Sequence, residues 1–208
     1  DSHVGGYKDC NETSLVAVCD VDSKKRDSFP YEARYDDYMV MVQQQELDIV
    51  SVCTPSETHS LITCSVASRV KAIYCEKPIA ATLEDADRMI QTCHQYGVIL
   101  QVNHQRRFAM PVMRWSRGLV NNGTHAVDLI RQLGIEDKVK MEYVDTDDYI
   151  FELDIFSDPK PSRLTLKGVE HLVQCLETHT KSISSGEEAR ETLRQVLEYE
   201  RDRANLRE

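Results

Sequence analysis

Polar or conformationally special residues follow directly after each of four short apolar runs in the chain. In chain order they are Asp20, Thr54-Pro55, Glu76-Lys77-Pro78 and Asn103-His104. In open parallel α/β sheets, ligands bind at the carboxyl ends of the strands. Any strand must end in a loop, so one such group alone is unremarkable. The four together predict a rim that could bind an elongated ligand.

Asp20 is the residue of this rim whose chemistry is easiest to interpret. A carboxylate that ends the second strand of a dinucleotide fold accepts hydrogen bonds from the adenosine ribose, about 20 residues beyond a glycine-rich phosphate loop. That spacing places the loop at or just before Asp1. The chain contains no G-x-G-x-x-G pattern, and Gly5-Gly6 is not a substitute. On spacing alone, Asp20 could equally open a turn with Asp22.

The apolar runs themselves read as buried parallel strands. They cover residues 15–19, 48–53, 70–75 and 98–102 and are nearly continuous, as expected of strands buried on both faces. Helical patterns lie between them. The clearest begins at Thr82, with Asp85 in a capping-box arrangement, and ends at Gly97. This alternation predicts βαβ units and a parallel sheet, and therefore an α/β fold.

The pattern changes near residue 103. Apolar side chains at Tyr149, Phe151, Leu153 and Ile155 alternate with acidic ones, which predicts a half-buried strand of an antiparallel sheet with residues 139–144 as its partner. Two helices follow, the second capped by Ser185 and Glu188. We therefore expect two domains, residues 1–103 and 104–208.

Composition and charge exclude several classes of partner. The 208 residues carry a formal net charge of −10, which disfavours nucleic acid and anionic membranes. The seven cysteines are odd in number and include no C-x-x-C pattern. They predict buried thiols in a reducing compartment, which indicates the cytoplasm. No His/Cys cluster has metal-ligand spacing, so we expect no metal site.

Six segments, in this order, resemble the signature segments of one oxidoreductase family. They are LVAVCDVD, LDIVSVCTPSETH, IYCEKPIAATLEDADRMI, VILQVNHQRRF, NGTHAVDLIRQL and SGEEARETL. The resemblance is to the glucose–fructose oxidoreductase / inositol dehydrogenase (Gfo/Idh/MocA) family. It implies an N-terminal Rossmann domain with a doubly wound parallel sheet, and a C-terminal α+β domain with a mostly antiparallel sheet. It also implies a homodimer or homotetramer that oxidises or reduces a hydroxyl of a sugar, inositol or sugar-nucleotide with NAD(H) or NADP(H).

The resemblance also assigns roles to the rim residues. Asp20 would bind the adenosine ribose, and Thr54 and Pro55 would line the path of the cofactor. Glu76 would hydrogen-bond the nicotinamide ribose, and Lys77 would reach both nicotinamide and substrate. NAD is expected in preference to NADP because the Asp20 carboxylate would repel a 2′-phosphate. The basic run 24–26 is the feature that favours NADP.

The remaining assignments fall after residue 103. Arg107 would lie near the nicotinamide, His125 would be the catalytic base, and Asp128 matches the acidic residue three positions later. Asn121 stands where the family commonly has an aspartate, and an amide could position substrate but could not exchange protons.

None of the other histidines is assigned a catalytic role. His59 is expected to cap or pack, and His104 is ambiguous. His3, His94, His171 and His179 are interpreted as surface or helix-face residues.

Two further functions remain open. Asn121 favours a non-catalytic dinucleotide-binding regulator, whereas intact Lys77 and His125 oppose it. The same site could instead cleave a glycoside through a transient oxidation.

In a doubly wound sheet the first strand lies centrally, so we expect a further strand and glycine loop upstream of Asp1. Further segments are expected to be missing near residues 117–121 and 157–165.

Overall fold

A computed structural model of the chain describes residues 2–29, 33–105, 124, 127–128, 131, 142–144, 148–150 and 161–205. Helices α1 to α7 are Ser2–Asp9, Ser23–Asp27, Tyr38–Gln44, Ser56–Val66, Leu83–Tyr96, Pro161–Thr178 and Gly186–Asn205. Strands β1 to β7 are Val18–Cys19, Arg34–Tyr35, Ile49–Val52, Ala72–Cys75, Ile99–Val102, Glu142–Val144 and Asp148–Ile150. Strands and helices alternate up to β5, which confirms the predicted βαβ pattern.

The strands before residue 103 pair in parallel, as predicted. β3, β4 and β5 form a three-stranded sheet in that order, with Val50 paired to Ile73 and Ile73 to Leu100. β1 and β2 form a second, two-stranded parallel sheet. Because parallel neighbours need a crossover connection, α4 joins β3 to β4 and α5 joins β4 to β5.

Alternate residues of β4 face two different hydrophobic cores, because successive side chains of a strand point to opposite faces. Ile73 and Cys75 contribute to a core shared with α4, α5 and α7. Ala72 and Tyr74 contribute to a core shared with α1 and α6. All four side chains of β4 have 0% exposure. The prediction of a strand buried on both faces is therefore confirmed for this run.

The caps of α5 are those that the sequence predicts. The Thr82 hydroxyl accepts a hydrogen bond from the Asp85 backbone N–H at 3.1 Å and donates to the Asp85 carboxylate at 2.9 Å. At the other end Gly97 adopts φ of 67°. A left-handed residue there satisfies the last carbonyls of the helix, and glycine adopts this conformation at little cost.

Close packing of α1 on α6 depends on Gly6. A Cβ atom at that position would lie 3.2 Å from both the Thr165 backbone and the Val169 side chain, tighter than most real contacts. Gly5 and Gly6 both lie inside α1, so this glycine pair forms no phosphate-binding loop, as expected.

The chain after residue 141 forms one antiparallel hairpin and two long helices within the described residues. β6 and β7 pair antiparallel, with Tyr143 opposite Tyr149. Phe151, Leu153 and Ile155, predicted to extend this strand, lie outside the described residues. The α7 cap is confirmed, because the Glu188 backbone N–H donates to the Ser185 hydroxyl at 3.5 Å.

The segment before α7 hydrogen-bonds to β5. The Val102 N–H donates to the Ser184 carbonyl at 2.8 Å, and the Ser184 hydroxyl donates to the Val102 carbonyl at 2.6 Å. Together with the burial of α6 and α7 against the two cores, these bonds attach residues 161–205 to the parallel sheet. The division into domains at residue 103 stays a prediction.

Two expectations about the first apolar runs need correction. Residues 15–19 were expected to be a buried strand, but only Val18–Cys19 is a strand, and it is half-buried because β2 is its sole partner among the described strands. Cys53 is exposed rather than buried, since it follows the last residue of β3. No described helix is both long and apolar enough to cross a bilayer.

Candidate functional site

The carboxyl ends of β3, β4 and β5 bring three of the predicted rim groups to one edge of the sheet. The Glu76 N–H donates to the Val52 carbonyl at 2.8 Å, and the Asn103 N–H donates to the Cys75 carbonyl at 2.7 Å. The polar residues that follow these strands are therefore neighbours. Thr54 lies two residues beyond Val52, the last residue of β3.

Glu76 is the centre of this edge. Its Oε1 atom accepts hydrogen bonds from His3 Nε2 at 2.9 Å and from the Asn103 side-chain amide at 2.8 Å. Its Oε2 atom accepts one from the Lys77 backbone N–H at 3.1 Å. The Glu76 side chain is 27% exposed. The carboxylate is therefore fixed by three donors, while part of the side chain stays exposed.

Two further side chains, Tyr74 and Ser51, contact these donors directly. The Tyr74 hydroxyl donates to Asn103 Oδ1 at 2.6 Å. His3 Nδ1 lies 3.1 Å from the Ser51 hydroxyl, which is itself 2.9 Å from the Tyr7 hydroxyl. Because a terminal amide presents its nitrogen and oxygen on opposite sides, the Tyr74 contact determines that Asn103 turns its N–H₂ group toward Glu76.

The His3–Glu76 contact is an ion pair at neutral pH. Burial by itself would lower the pKa of His3, but hydrogen bonds to Cys53 and Glu76 and their charges raise that pKa to about 9. Burial likewise would raise the pKa of Glu76, but the His3 hydrogen bond and charge, with the Asn103 and Lys77 N–H donors, lower it to about 2. Both groups are therefore charged over the physiological range.

His3 corrects the sequence interpretation, which placed this residue on a surface or helix face. The side chain is only 6% exposed and contacts β3 and β4. One signal was present in the sequence: Tyr7 lies four residues after His3, so the two share a face of any helix. The partners themselves are distant along the chain, with Glu76 73 residues away.

Lys77 follows Glu76 and begins a tight turn. The Lys77–Pro78 peptide bond is cis, the unusual geometry that a proline in this turn allows. The Lys77 side chain is half-buried. Burial lowers the pKa of its ammonium group, and the adjacent Glu76 carboxylate opposes that shift. A desolvated lysine is better suited to take part in proton transfer than a fully hydrated one.

His59 joins the two loops that flank the site. It is 1% exposed and lies in the first turn of α4. Its Nδ1 atom lies 3.0 Å from the Pro78 carbonyl oxygen, and its Nε2 atom lies 2.8 Å from the Thr54 carbonyl oxygen. This buried packing role agrees with the sequence expectation. Thr54 and Pro55 are exposed beside it.

Asp20 lies at the carboxyl end of β1, in the second parallel sheet. Its backbone N–H donates to the Tyr35 carbonyl at 3.1 Å, and its Oδ1 atom accepts from the Asp22 N–H at 2.9 Å. The turn that the sequence allowed is therefore present. It uses one oxygen of a half-buried carboxylate, and among the described residues Oδ2 has no hydrogen-bond partner, so a ligand could still bind there.

A buried His104–Asp128 pair lies beyond β5. Nδ1 of His104 is 3.2 Å from Oδ1 of Asp128, and both side chains are 2% exposed or less. The Thr192 hydroxyl of α7 donates to the same oxygen at 3.0 Å. Asp128 thus connects the end of β5 to α7. Arg107, Asn121 and His125 lie outside the described residues.

Among the described residues, no three His, Cys, Asp or Glu side chains form a group that could hold a metal ion.

The parallel sheet with helices on both faces and a polar carboxyl edge defines a nucleotide-binding α/β protein of the Rossmann type. Residues 2–104 match the model of an oxidoreductase family described as an NAD-binding Rossmann fold, Gfo/Idh/MocA. The chain belongs to this family, and the match covers its N-terminal half.

Individual relatives agree with this assignment. The chain is 32% identical over 123 residues to D-apiose dehydrogenase of Paraburkholderia graminis. The matched segment covers 57% of this chain and 32% of that protein. It is 30% identical over 126 residues to myo-inositol 2-dehydrogenase of Thermotoga maritima, covering 59% and 37%. The matched segment thus spans only about a third of these curated relatives.

Solved structures show the same fold at low sequence identity. An oxidoreductase from Agrobacterium radiobacter, solved in complex with NAD⁺, L-tartaric acid and magnesium, superposes with a TM-score of 0.76 at 16% identity. The superposition covers 94% of this chain and 90% of that one.

Proposed function

We propose that this protein is an NAD-dependent dehydrogenase that moves a hydride between nicotinamide and a hydroxyl-bearing carbon of a sugar or polyol. The observation that carries the proposal is the Glu76 carboxylate, held ionised at the carboxyl edge of the sheet by His3, Asn103 and the Lys77 N–H. In a Rossmann fold this edge is where a dinucleotide binds.

The residues present at this edge fit a dinucleotide. A carboxylate has about four acceptor positions, and the hydrogen bonds to Glu76 leave Oε2 with a position for a ribose hydroxyl. Asp20 can offer Oδ2 to the hydroxyls of the second ribose, and the exposed Thr54 and Pro55 can line the path between them. The Asp20 charge would favour a free 2′-hydroxyl over a 2′-phosphate, and therefore NAD over NADP.

The chemistry requires a proton acceptor and a cation near the substrate oxygen. Nicotinamide, when bound, supplies the hydride acceptor. Lys77, adjacent to Glu76 and with a lowered pKa, would stabilise the developing alkoxide or relay its proton. His125 is the proposed base and Arg107 would lie near the nicotinamide, on the strength of the family resemblance. Asn121 would orient the substrate without exchanging protons.

The relatives favour a sugar-like substrate, because the matched curated proteins are named as dehydrogenases of D-apiose and myo-inositol. A screen of aldoses, ketoses, inositols and sugar-nucleotides for NAD reduction would test the proposal. Reduction with at least one substrate, lost in Lys77→Met, is expected. No reduction with any member of the panel, by a protein that binds NAD, would overturn the dehydrogenase assignment.

A non-catalytic NAD-binding regulator is the second candidate, and Asn121 in place of the family's aspartate is the observation that favours it. Asn121→Asp separates the two functions. In a dehydrogenase, restoring the carboxylate should raise turnover or shift the pH–rate profile through its charge. In a regulator, neither the wild-type protein nor Asn121→Asp should reduce NAD. Release of sugar without net NAD reduction would instead indicate glycoside cleavage through transient oxidation.

A further inference from the structure

The His3 ring is buried and has a partner at each nitrogen, Nε2 with Glu76 and Nδ1 with Ser51. Burial of a positive charge requires a compensating negative charge, and Glu76 provides it.

The hydrogen bonds of Glu76 are distributed asymmetrically between its two oxygens. His3 and Asn103 both donate to Oε1, so the two acceptor positions of that oxygen are occupied. Among the described residues, Oε2 receives one hydrogen bond, from the Lys77 N–H. His3 and Asn103 therefore fix the rotation of the carboxylate about its own axis, and one acceptor position on Oε2 is left in a defined direction.

We infer that His3 is a positioning residue for the cofactor: a buried imidazolium that holds Glu76 ionised and turns its Oε2 atom toward the nicotinamide ribose. The inference rests on the proposed function, in which Glu76 binds that ribose. His3 itself contacts neither cofactor nor substrate in this account. Its effect on binding is transmitted through the Glu76 carboxylate alone.

The charged groups around His3 support a cation at this position. Glu76 contacts the ring from the end of β4, and Cys53, just after β3, also raises the pKa of His3. Tyr7 of α1 and Tyr74 of β4 complete the surroundings, with the Tyr74 ring 4.6 Å from the imidazole. Burial raises the pKa of both phenols, so both are neutral at physiological pH. Glu76 is the carboxylate in direct contact with the His3 ring, at 2.9 Å.

The test compares His3→Gln with Tyr7→Phe. His3→Gln keeps a hydrogen-bond donor but removes the positive charge. Tyr7→Phe is a matched control on the same face of α1, because it removes a hydroxyl that touches Ser51 but not Glu76. NAD affinity is measured by calorimetric titration from about pH 6 to about pH 10, a range that brackets the ordinary histidine pKa and the pKa of His3 at about 9.

Wild-type affinity should stay level at neutral pH and weaken as His3 loses its proton above about pH 9. His3→Gln should weaken binding about tenfold, because the hydrogen bond that glutamine can keep lacks the charge that makes such a bond roughly twice as strong, and it should abolish that pH dependence. Tyr7→Phe should retain both affinity and profile within about threefold. Wild-type affinity and an unchanged profile in His3→Gln would overturn the inference.

A second measurement is independent of NAD. The imidazole of His3, followed by NMR in the wild-type protein without cofactor, should titrate near pH 9, and its pKa should fall in Glu76→Gln. An ordinary histidine pKa in the wild type would overturn the inference even if His3→Gln fails to fold. Failure of the wild-type protein to bind NAD, with His3 still titrating near pH 9, would instead count against the proposed function.

Discussion

Nε2 of His59 lies 2.8 Å from the Thr54 carbonyl oxygen, and Nδ1 of the same ring lies 3.0 Å from the Pro78 carbonyl oxygen. One buried side chain therefore ties the loop after β3 to the cis turn after β4. Thr54 and Lys77, both proposed to line the cofactor or substrate site, lie on these two loops, so their separation depends on His59.

Replacing His59 with leucine should destabilise the protein by about 2 kcal/mol, because it removes the ring N–H that donates to a backbone carbonyl and the packing of a buried side chain. Denaturant unfolding measures this change. His94→Gln is the matched control, since His94 is exposed and pairs with Glu187 on the surface. The control should change the free energy of unfolding by less than about 0.5 kcal/mol. Equal losses in the two variants would contradict the bridging role of His59.

Stability should decline as pH rises above neutrality because of the His3–Glu76 pair. The pKa of His3 is raised from 6.5 to about 9 in the folded state, so its contribution is complete below about pH 6.5 and is lost as pH rises through about 9. The pKa of Glu76 is lowered from 4.5 to about 2, so its contribution is complete above about pH 4.5 and is lost as pH falls through about 2.

The two contributions describe one interaction and are not summed. The loss between about pH 6.5 and about pH 9 should be at most about 3 kcal/mol, by the conversion of a pKa shift into free energy. Urea unfolding across this range provides the measurement. Glu76→Gln should flatten the profile. A wild-type profile that rises through the same range would show that His3 is not paired as a cation.

Asp20→Asn should reduce the preference for NAD over NADP by about tenfold, because it removes the charge that repels a 2′-phosphate. The amide oxygen can still accept the Asp22 N–H, so the turn after β1 is kept. Competitive binding of the two cofactors measures the ratio. Tighter binding of NADP by the wild type would refute the assignment and would direct attention to the basic residues of α2.

Lys77→Met should lower turnover by about 10² to 10⁴ if Lys77 assists proton transfer, the range usual for general acid–base catalysis. NAD affinity should change much less, because Glu76 receives the Lys77 backbone N–H rather than its ammonium group. Stopped-flow hydride transfer and equilibrium binding, measured together, separate the two effects. Parallel losses in both would mean that Lys77 serves binding alone.

The parallel sheet and its helices could be predicted from the sequence because their signals are local. The apolar run that became β4 and the Thr82 and Gly97 caps of α5 each lie within one short segment. The rim residues Thr54, Glu76 and Asn103 followed from the strand ends. Cys53 was wrongly predicted to be buried, because β3 ends one residue earlier, at Val52, and Cys53 is the first residue of the loop.

The contacts of His3 could not be predicted in the same way. Its partners Ser51 and Glu76 are 48 and 73 residues away along the chain, and they meet it only because α1 packs on the same face of the sheet as Tyr74. Likewise, the contact of His59 with the Pro78 carbonyl depends on how α4 lies against the turn after β4. Tertiary packing, not local pattern, determines both.

The central claim is that the Glu76 edge of the sheet binds NAD. Calorimetric titration of NAD into the wild-type protein and into Glu76→Gln tests it most directly. Saturable binding by the wild type, weakened about 10- to 100-fold in the variant, is predicted, because a charged acceptor for the ribose hydroxyl is lost. No binding by the wild type, or equal affinity in the two proteins, would contradict the account.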